Sequence, residues 1–176
     1  MKNHETFYIF NLKNIYHNSI DNRYKYEHIV YIMSSKEFDV QQLLTAIDND
    51  NNEPIMKYTR EKICAMKNDV LQQLQLSRTQ IKIFHKKLKQ YRYINDLTDI
   101  QFGSYIRWIP LKDPQNIRLT NGGLLCDTKF FNDGVQLLCK NNFNRMFQIK
   151  FDENLIFQKL NNQEQIILDV INYLKN

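Results

Sequence analysis

Asp127, Asp133 and the run Gln148-Ile149-Lys150 are the residues of this chain whose types and spacing come nearest to catalysis. Metal-dependent nucleases set an acid on one strand of a hairpin and a Glu/Gln-x-Lys on the next. Carboxylates there hold Mg²⁺, and the lysine steadies developing charge. Each residue also has a plainer use. Asp133 stands in an Asn-Asp-Gly sequence, where Asp is favoured for conformational reasons. Gln148 and Lys150 alternate with Phe147, Ile149 and Phe151, as the solvent face of any strand would. Asp152-Glu153 reads as a strand-end or turn pair. The metal-dependent nuclease is therefore the remote reading, and no catalytic residue, metal or cofactor is assigned.

Other constellations fail sooner. The four histidines, at 4, 17, 28 and 85, show no metal-ligand spacing. Cys64, Cys126 and Cys139 form no Cys-x-x-Cys, and no histidine lies near Cys126 or Cys139 in sequence to activate a thiolate. Buried small hydrophobes are the expectation for that pair, in a reducing compartment. The chain has four glycines, and the one adjacent pair, Gly122-Gly123, falls in an Asn-Gly-Gly turn rather than a phosphate-binding loop. No G-x-S-x-G is present. No run approaches the ~18 apolar residues of a membrane span, and the first residues lack the apolar core of a signal peptide, so secretion is not expected.

Charge is more informative. The 176 residues carry a net charge of +5. Lys57 to Arg92 holds ten Lys or Arg against Glu61 and Asp69, a net +8, so the remainder is acidic. At 100° per residue, Lys57, Arg60, Lys67, Arg78, Lys82, Lys86 and Lys89 fall on one stripe roughly 100° wide. Solvated helix faces usually interleave Glu with Lys. A one-sign ridge instead suits an anionic partner. Nucleic acid leads, ahead of an acidic protein surface and a membrane surface, with Arg92 and its flanking tyrosines at the helix end.

The elements that must position these residues follow from periodicity. Ile63, Met66, Val70, Leu74, Ser77, Ile81, Phe84, Leu88 and Tyr91 step by three and four. That seam is expected to be one continuous or slightly kinked helix; the alternative is two helices broken at Leu76–Ser77, where Ser77 and Gln80 have capping-box spacing. The seam could also pair two copies of the chain, although Ser77 weakens it. From Asp99 the period becomes two. Strands are expected at Phe102–Leu111, Ile117–Thr120, Leu124–Thr128, Val135–Lys140 and Arg145–Phe151, with Asn-Gly-Gly, Asn-Asp-Gly and Asn-Asn turns between them. They read as a small antiparallel meander or half-barrel. Trp108, the single tryptophan, alternates onto one side with Ile106, which favours core filling over a stacking platform. A C-terminal helix with an Ile167, Val170, Ile171 and Leu174 stripe is expected to cap the sheet.

The fold class is thus α+β: a basic helical arm (54–98), then a small antiparallel β domain with its helix (99–176). An accessory segment (1–53) precedes them. It has candidate strands at Thr6–Leu12 and His28–Met33, a helix starting at Ser34, and a linker at Asp48–Pro54.

YIRWIPL, LTNGG and FQIKFDENLIFQKLNNQEQIILDVINYL resemble segments of short, uncharacterised proteins encoded by giant nucleocytoplasmic DNA viruses, over Ile63 to Leu174. The resemblance implies a viral origin and a host-cytoplasm or virion setting, with no catalytic motif to carry over. Together with the charge, it leads to an expected non-enzymatic module that contacts nucleic acid through the helix ridge. The competing class is a structural or assembly protein that acts through contacts with other viral proteins.

Overall fold

A computed structural model describes residues 40–175 of the protein. The candidate strands Thr6–Leu12 and His28–Met33 and the helix start at Ser34 lie outside the described residues. The chain divides into two compact units, Met1–Arg60 with Asn162–Asn176, and Glu61–Asn161.

The described part of the first unit contains α1 (Val40–Asp48), a 3-10 helix (Asp50–Lys57) and α4 (Asn162–Lys175). Leu43, Ala46, Ile47 and Ile55 are buried here, as are Ile167, Leu168, Val170 and Ile171 of α4. The stretch Asp48–Pro54, expected to be a linker, is largely helical. Its asparagines satisfy specific partners. The Asn49 side chain accepts from Asn51 N–H as an N-cap. Buried Asn52 donates to Ala46 O at 2.9 Å and to Gln163 Oε1 at 2.9 Å. A polar run that looks like a linker thus becomes a set of tertiary hydrogen bonds.

The second unit begins with two helices. Apart from Arg60, α2 (Arg60–Gln72) belongs to this unit, and α3 (Arg78–Lys87) follows it. The expected continuous helix is broken, and the reason is local. Ser77 Oγ accepts from Gln80 N–H while Gln80 Oε1 accepts from Ser77 N–H, a reciprocal capping box that starts a new helix. Gln75, at φ 52°, takes the left-handed conformation of a helix end. The chain then turns back, and Lys67 of α2 reaches the carbonyls of Leu88 and Tyr91.

Six strands form one antiparallel sheet: β1 (Tyr91–Ile94), β2 (Tyr105–Pro110), β3 (Gly123–Phe131), β4 (Gly134–Lys140), β5 (Met146–Lys150) and β6 (Asn154–Lys159). Their order is β1-β6-β2-β3-β4-β5. Two strands were not expected. Tyr91 opens β1 instead of closing the helical seam, and β6 lies between β1 and β2. Conversely, Ile117–Thr120 is not a strand. It follows β2 through Thr120, whose N–H and hydroxyl both donate to Trp108 O. The Asn-Gly-Gly sequence therefore makes no hairpin, because β3 pairs directly with β2 at Tyr105–Leu124 and Ile106–Gly123. The Asn-Asp-Gly sequence does make one, joining Phe131 to Gly134 with the positive φ on Gly134.

Alternation along the strands feeds two apolar layers. Leu71, Phe84 and Leu88 of the helical region pack with Ile109 and Phe157 on one sheet face. Ile94, Ile106, Leu125, Leu137, Cys139 and Ile156 form the other layer, bordered by half-buried Trp108, Phe147 and Ile149. Val70, Leu74 and Tyr91 of the helical seam border the first layer, so this part of the seam is spent inside the chain, packed on the sheet.

Candidate nucleic-acid interface

The eight cations singled out in the sequence separate into three groups. Lys57 and Arg60 belong to the first unit, where Lys57 Nζ lies 5.5 Å from the centroid of the Tyr58 ring. Arg60 donates to Asp169 Oδ1 at 2.8 and 2.6 Å.

Lys67 and Arg92 form the second group, and the structure takes both off any outer ridge. Lys67 is 4% exposed, and its Nζ donates to Leu88 O at 2.8 Å and Tyr91 O at 3.0 Å. It is an internal cap at the end of α3. Burial lowers its pKa, with Cys64 opposing. Arg92 is 1% exposed, and its guanidinium donates to Asp99 O. A single continuous helix would have aligned both with the rest of the stripe. The break at Gln73–Ser77 and the start of β1 at Tyr91 remove that alignment.

Arg78, Lys82, Lys86 and Lys89 make up the third group and are exposed. The first three recur at every fourth residue of α3, a row of about 12 Å at 1.5 Å per residue. Phe84 and Leu88 hold the opposite side of the helix in the core. Lys87 is exposed as well, but about 100° around the helix from Lys86 and so off the row. The chain has no Asp or Glu from Val70 to Asn95. His85 is half-buried, and its pKa is lowered by burial and then by Lys67, so it adds little charge near neutral pH.

Helix electrostatics explain only part of this row. Cations in the last turn complement the negative end of the helix dipole, which accounts for Lys86 and Lys87. Arg78 is at the opposite, positive end. Arg78/Lys82 and Lys82/Lys86 are also like-charge pairs at i,i+4, each unfavourable by about 0.2–0.5 kcal/mol.

Of the nuclease candidates, Asp133 and Lys150 are brought together, as an ion pair, while Asp127 stays apart from Gln148. Asp127, Leu138 and Gln148 lie in one row across β3, β4 and β5, so Asp127 and Gln148 are two strand spacings apart, about 10 Å. Asp127 Oδ1 accepts from Thr128 N–H. Lys150 donates to Asp133 Oδ2 at 2.6 Å. That hydrogen bond lowers the Asp133 pKa and raises that of Lys150. Among the described residues, no three His, Cys, Asp or Glu are grouped to hold a metal, and no helix is long and apolar enough to cross a membrane.

Comparison with known proteins adds no relative: no family model fits the chain, and no curated sequence or solved structure matches it.

Proposed function

We propose that the protein is a non-enzymatic binding module that holds nucleic acid against the outer face of α3. The observation that carries this reading is the acid-free row of Arg78, Lys82 and Lys86, continued by Lys89. It includes an arginine at the helix end where a cation is electrostatically misplaced. Phosphates bound along the row would offset both the dipole mismatch and the i,i+4 repulsions. The resemblance over Ile63 to Leu174 supports a viral origin, with a host-cytoplasm or virion setting.

The test is fluorescence anisotropy with short labelled DNA and RNA across a salt series. Replacing Arg78, Lys82, Lys86 and Lys89 together by Gln should weaken binding. It should also flatten the log K against log salt slope by about 0.7–0.9 for each phosphate that is no longer neutralised. Absence of binding by the wild type at low salt would refute the reading.

Exposed aromatics support a second reading, assembly through protein contacts. Phe130 is 75% exposed beside the β3–β4 turn, and Phe143 is 83% exposed in the β4–β5 turn. Self-association that light scattering detects in the wild type and that Phe130→Ser with Phe143→Ser removes would favour it.

A further inference from the structure

An open cleft of about 690 Å³ lies where the turn between α2 and α3 meets the loop between β2 and β3. Leu76, Leu111 and Ile117 supply the smaller, apolar part of its lining, and Leu76 and Ile117 belong to the outer layer of the core beneath. Its rim is made of amides: Gln73, Gln75, Gln80, Gln115 and Asn116. None of the lining residues is charged.

Three features of that rim point to a ligand edge. The amide heads of Gln73, Gln75 and Gln115 enter no hydrogen bond within the protein. Gln80 spends its carbonyl oxygen on Ser77 N–H and Oγ, which leaves its NH₂ free to donate outward. Gln75 occupies the left-handed position after a helix, where Gly or Asn is the usual residue, so a long amide stands where the backbone disfavours it.

A small apolar patch framed by an uncharged rim of donors and acceptors suits a flat, polar, uncharged group. A nucleobase is such a group, and the Gln or Asn amide matches the N6/N7 edge of adenine. A base stacked in a duplex cannot enter; an unpaired one can be splayed into the cleft. Arg78 lies between Leu76 and Gln80 in sequence and begins the exposed cation row. We propose that the cleft takes one unpaired base, adenine by preference, from a single strand whose phosphates follow Arg78, Lys82 and Lys86. This deepens the nucleic-acid reading of α3 and rests on it.

The experiment compares a labelled oligo-dA with an abasic strand of equal length and charge, using wild type and a Gln73→Ala/Gln75→Ala/Gln115→Ala variant. These side chains are exposed, so the variant should fold. The base-bearing strand should bind the wild type about tenfold tighter than the abasic one, as expected for one well-made amide–base pair. The variant should lose that advantage and keep its affinity for the abasic strand. Equal binding of both strands by the wild type, or an advantage that survives in the variant, overturns the cleft proposal and leaves the basic face standing. Failure of both strands at low salt overturns the basic face. Adenosine alone then decides the cleft: unmoved side-chain amide resonances of Gln73, Gln75 and Gln115 in an NMR titration overturn it too, whereas shifts confined to them sustain it.

Discussion

The Phe147 ring lies 5.4 Å from the Trp108 ring, tilted by 36°, although β3 and β4 separate their strands. Three strand spacings of a flat sheet would hold the two backbones about 14 Å apart. The ring contact is therefore a sign that the sheet curls, and it makes Trp108 part of the wall that closes the curl. Truncating a fully buried Trp costs ~3–5 kcal/mol. Trp108 is half-buried, so Trp108→Ala should cost about 2–3 kcal/mol in a denaturant titration. A variant that melts like wild type but no longer binds oligonucleotide would make Trp108 a stacking platform instead.

Gly123 is the residue that lets Phe147 reach across. A Cβ there would lie 2.9 Å from Lys140 O and 2.9 Å from Phe147 Cζ. The carbonyl is in a paired strand and cannot yield cheaply. Gly123→Ala should therefore destabilise by about 1–3 kcal/mol, as overpacking does. It should also change the near-ultraviolet signal of Trp108. Gly103→Ala is the control, since an added Cβ there meets nothing within 4 Å and only its φ of 77° is strained.

The two neighbouring glycines also show where the sequence was legible. Asn-Gly-Gly carries the usual hairpin signature, yet Gly122 is required because a Cβ would run into Ile106 O, a tertiary neighbour. The alternation of Ile106, Trp108 and Ile109, the capping box at Ser77 and the Asn-Asp-Gly hairpin are local and could be read directly. β6 could not, because Asn154–Lys159 owes its place to β1 on one side and β2 on the other. Lys67 and Arg92 were unreadable for the same reason. Their type places them outside, and only carbonyls brought close by folding, of Leu88, Tyr91 and Asp99, bring them in. The Gln-rich run from Gln72 to Gln80 was the available signal for the cleft.

Asp127 is held apart from Gln148, and the Asp133 carboxylate is already paired with Lys150, which together lead to a negative expectation about cleavage. Purified protein with Mg²⁺ or Mn²⁺ should leave single- and double-stranded nucleic acid intact. Lys150→Ala and Asp127→Ala should retain wild-type affinity. Metal-dependent cleavage that disappears in Lys150→Ala would restore the nuclease reading.

Lys67 and the α3 row make opposite predictions, although both are cations of one acid-poor segment. Lys67→Met removes donors from Leu88 O and Tyr91 O. Leu88 O keeps the Tyr91 N–H, but Tyr91 O loses its Lys67 donor; leaving such an acceptor unsatisfied costs about 1–3 kcal/mol, so the variant's thermal midpoint should fall. Its salt slope for oligonucleotide binding should match wild type. Lys82→Gln should do the reverse, with stability unchanged or slightly raised by relief of like-charge repulsion.

Cys139 supplies a stability switch at alkaline pH. Burial, with a smaller contribution from Cys126, pushes its thiol from 9.0 to about 12. The unfolded chain releases this proton near pH 9, while the folded chain keeps it until about 12. Between those values the native state binds more protons, so unfolding free energy falls as pH rises. The contribution is intact below about pH 9 and lost progressively up to about 12, at a slope approaching ~1.4 kcal/mol per pH unit for one group. Tyr91 and Tyr93, also raised by burial, act in the same direction, and Lys67, lowered by burial, acts against them. Cys139→Ala isolates the thiol. At pH 7 it should be less stable than wild type because it leaves a small void in the Leu125, Leu137 and Ile156 layer. The gap should narrow steadily from about pH 9 to about pH 11 in parallel denaturant titrations. Cys64 and Cys126 are exposed, so a thiol reagent should label two sites in the native protein and reach Cys139 only on unfolding. A constant gap across pH, or three fast-reacting thiols in the native state, would show that Cys139 is not shielded as the fold requires.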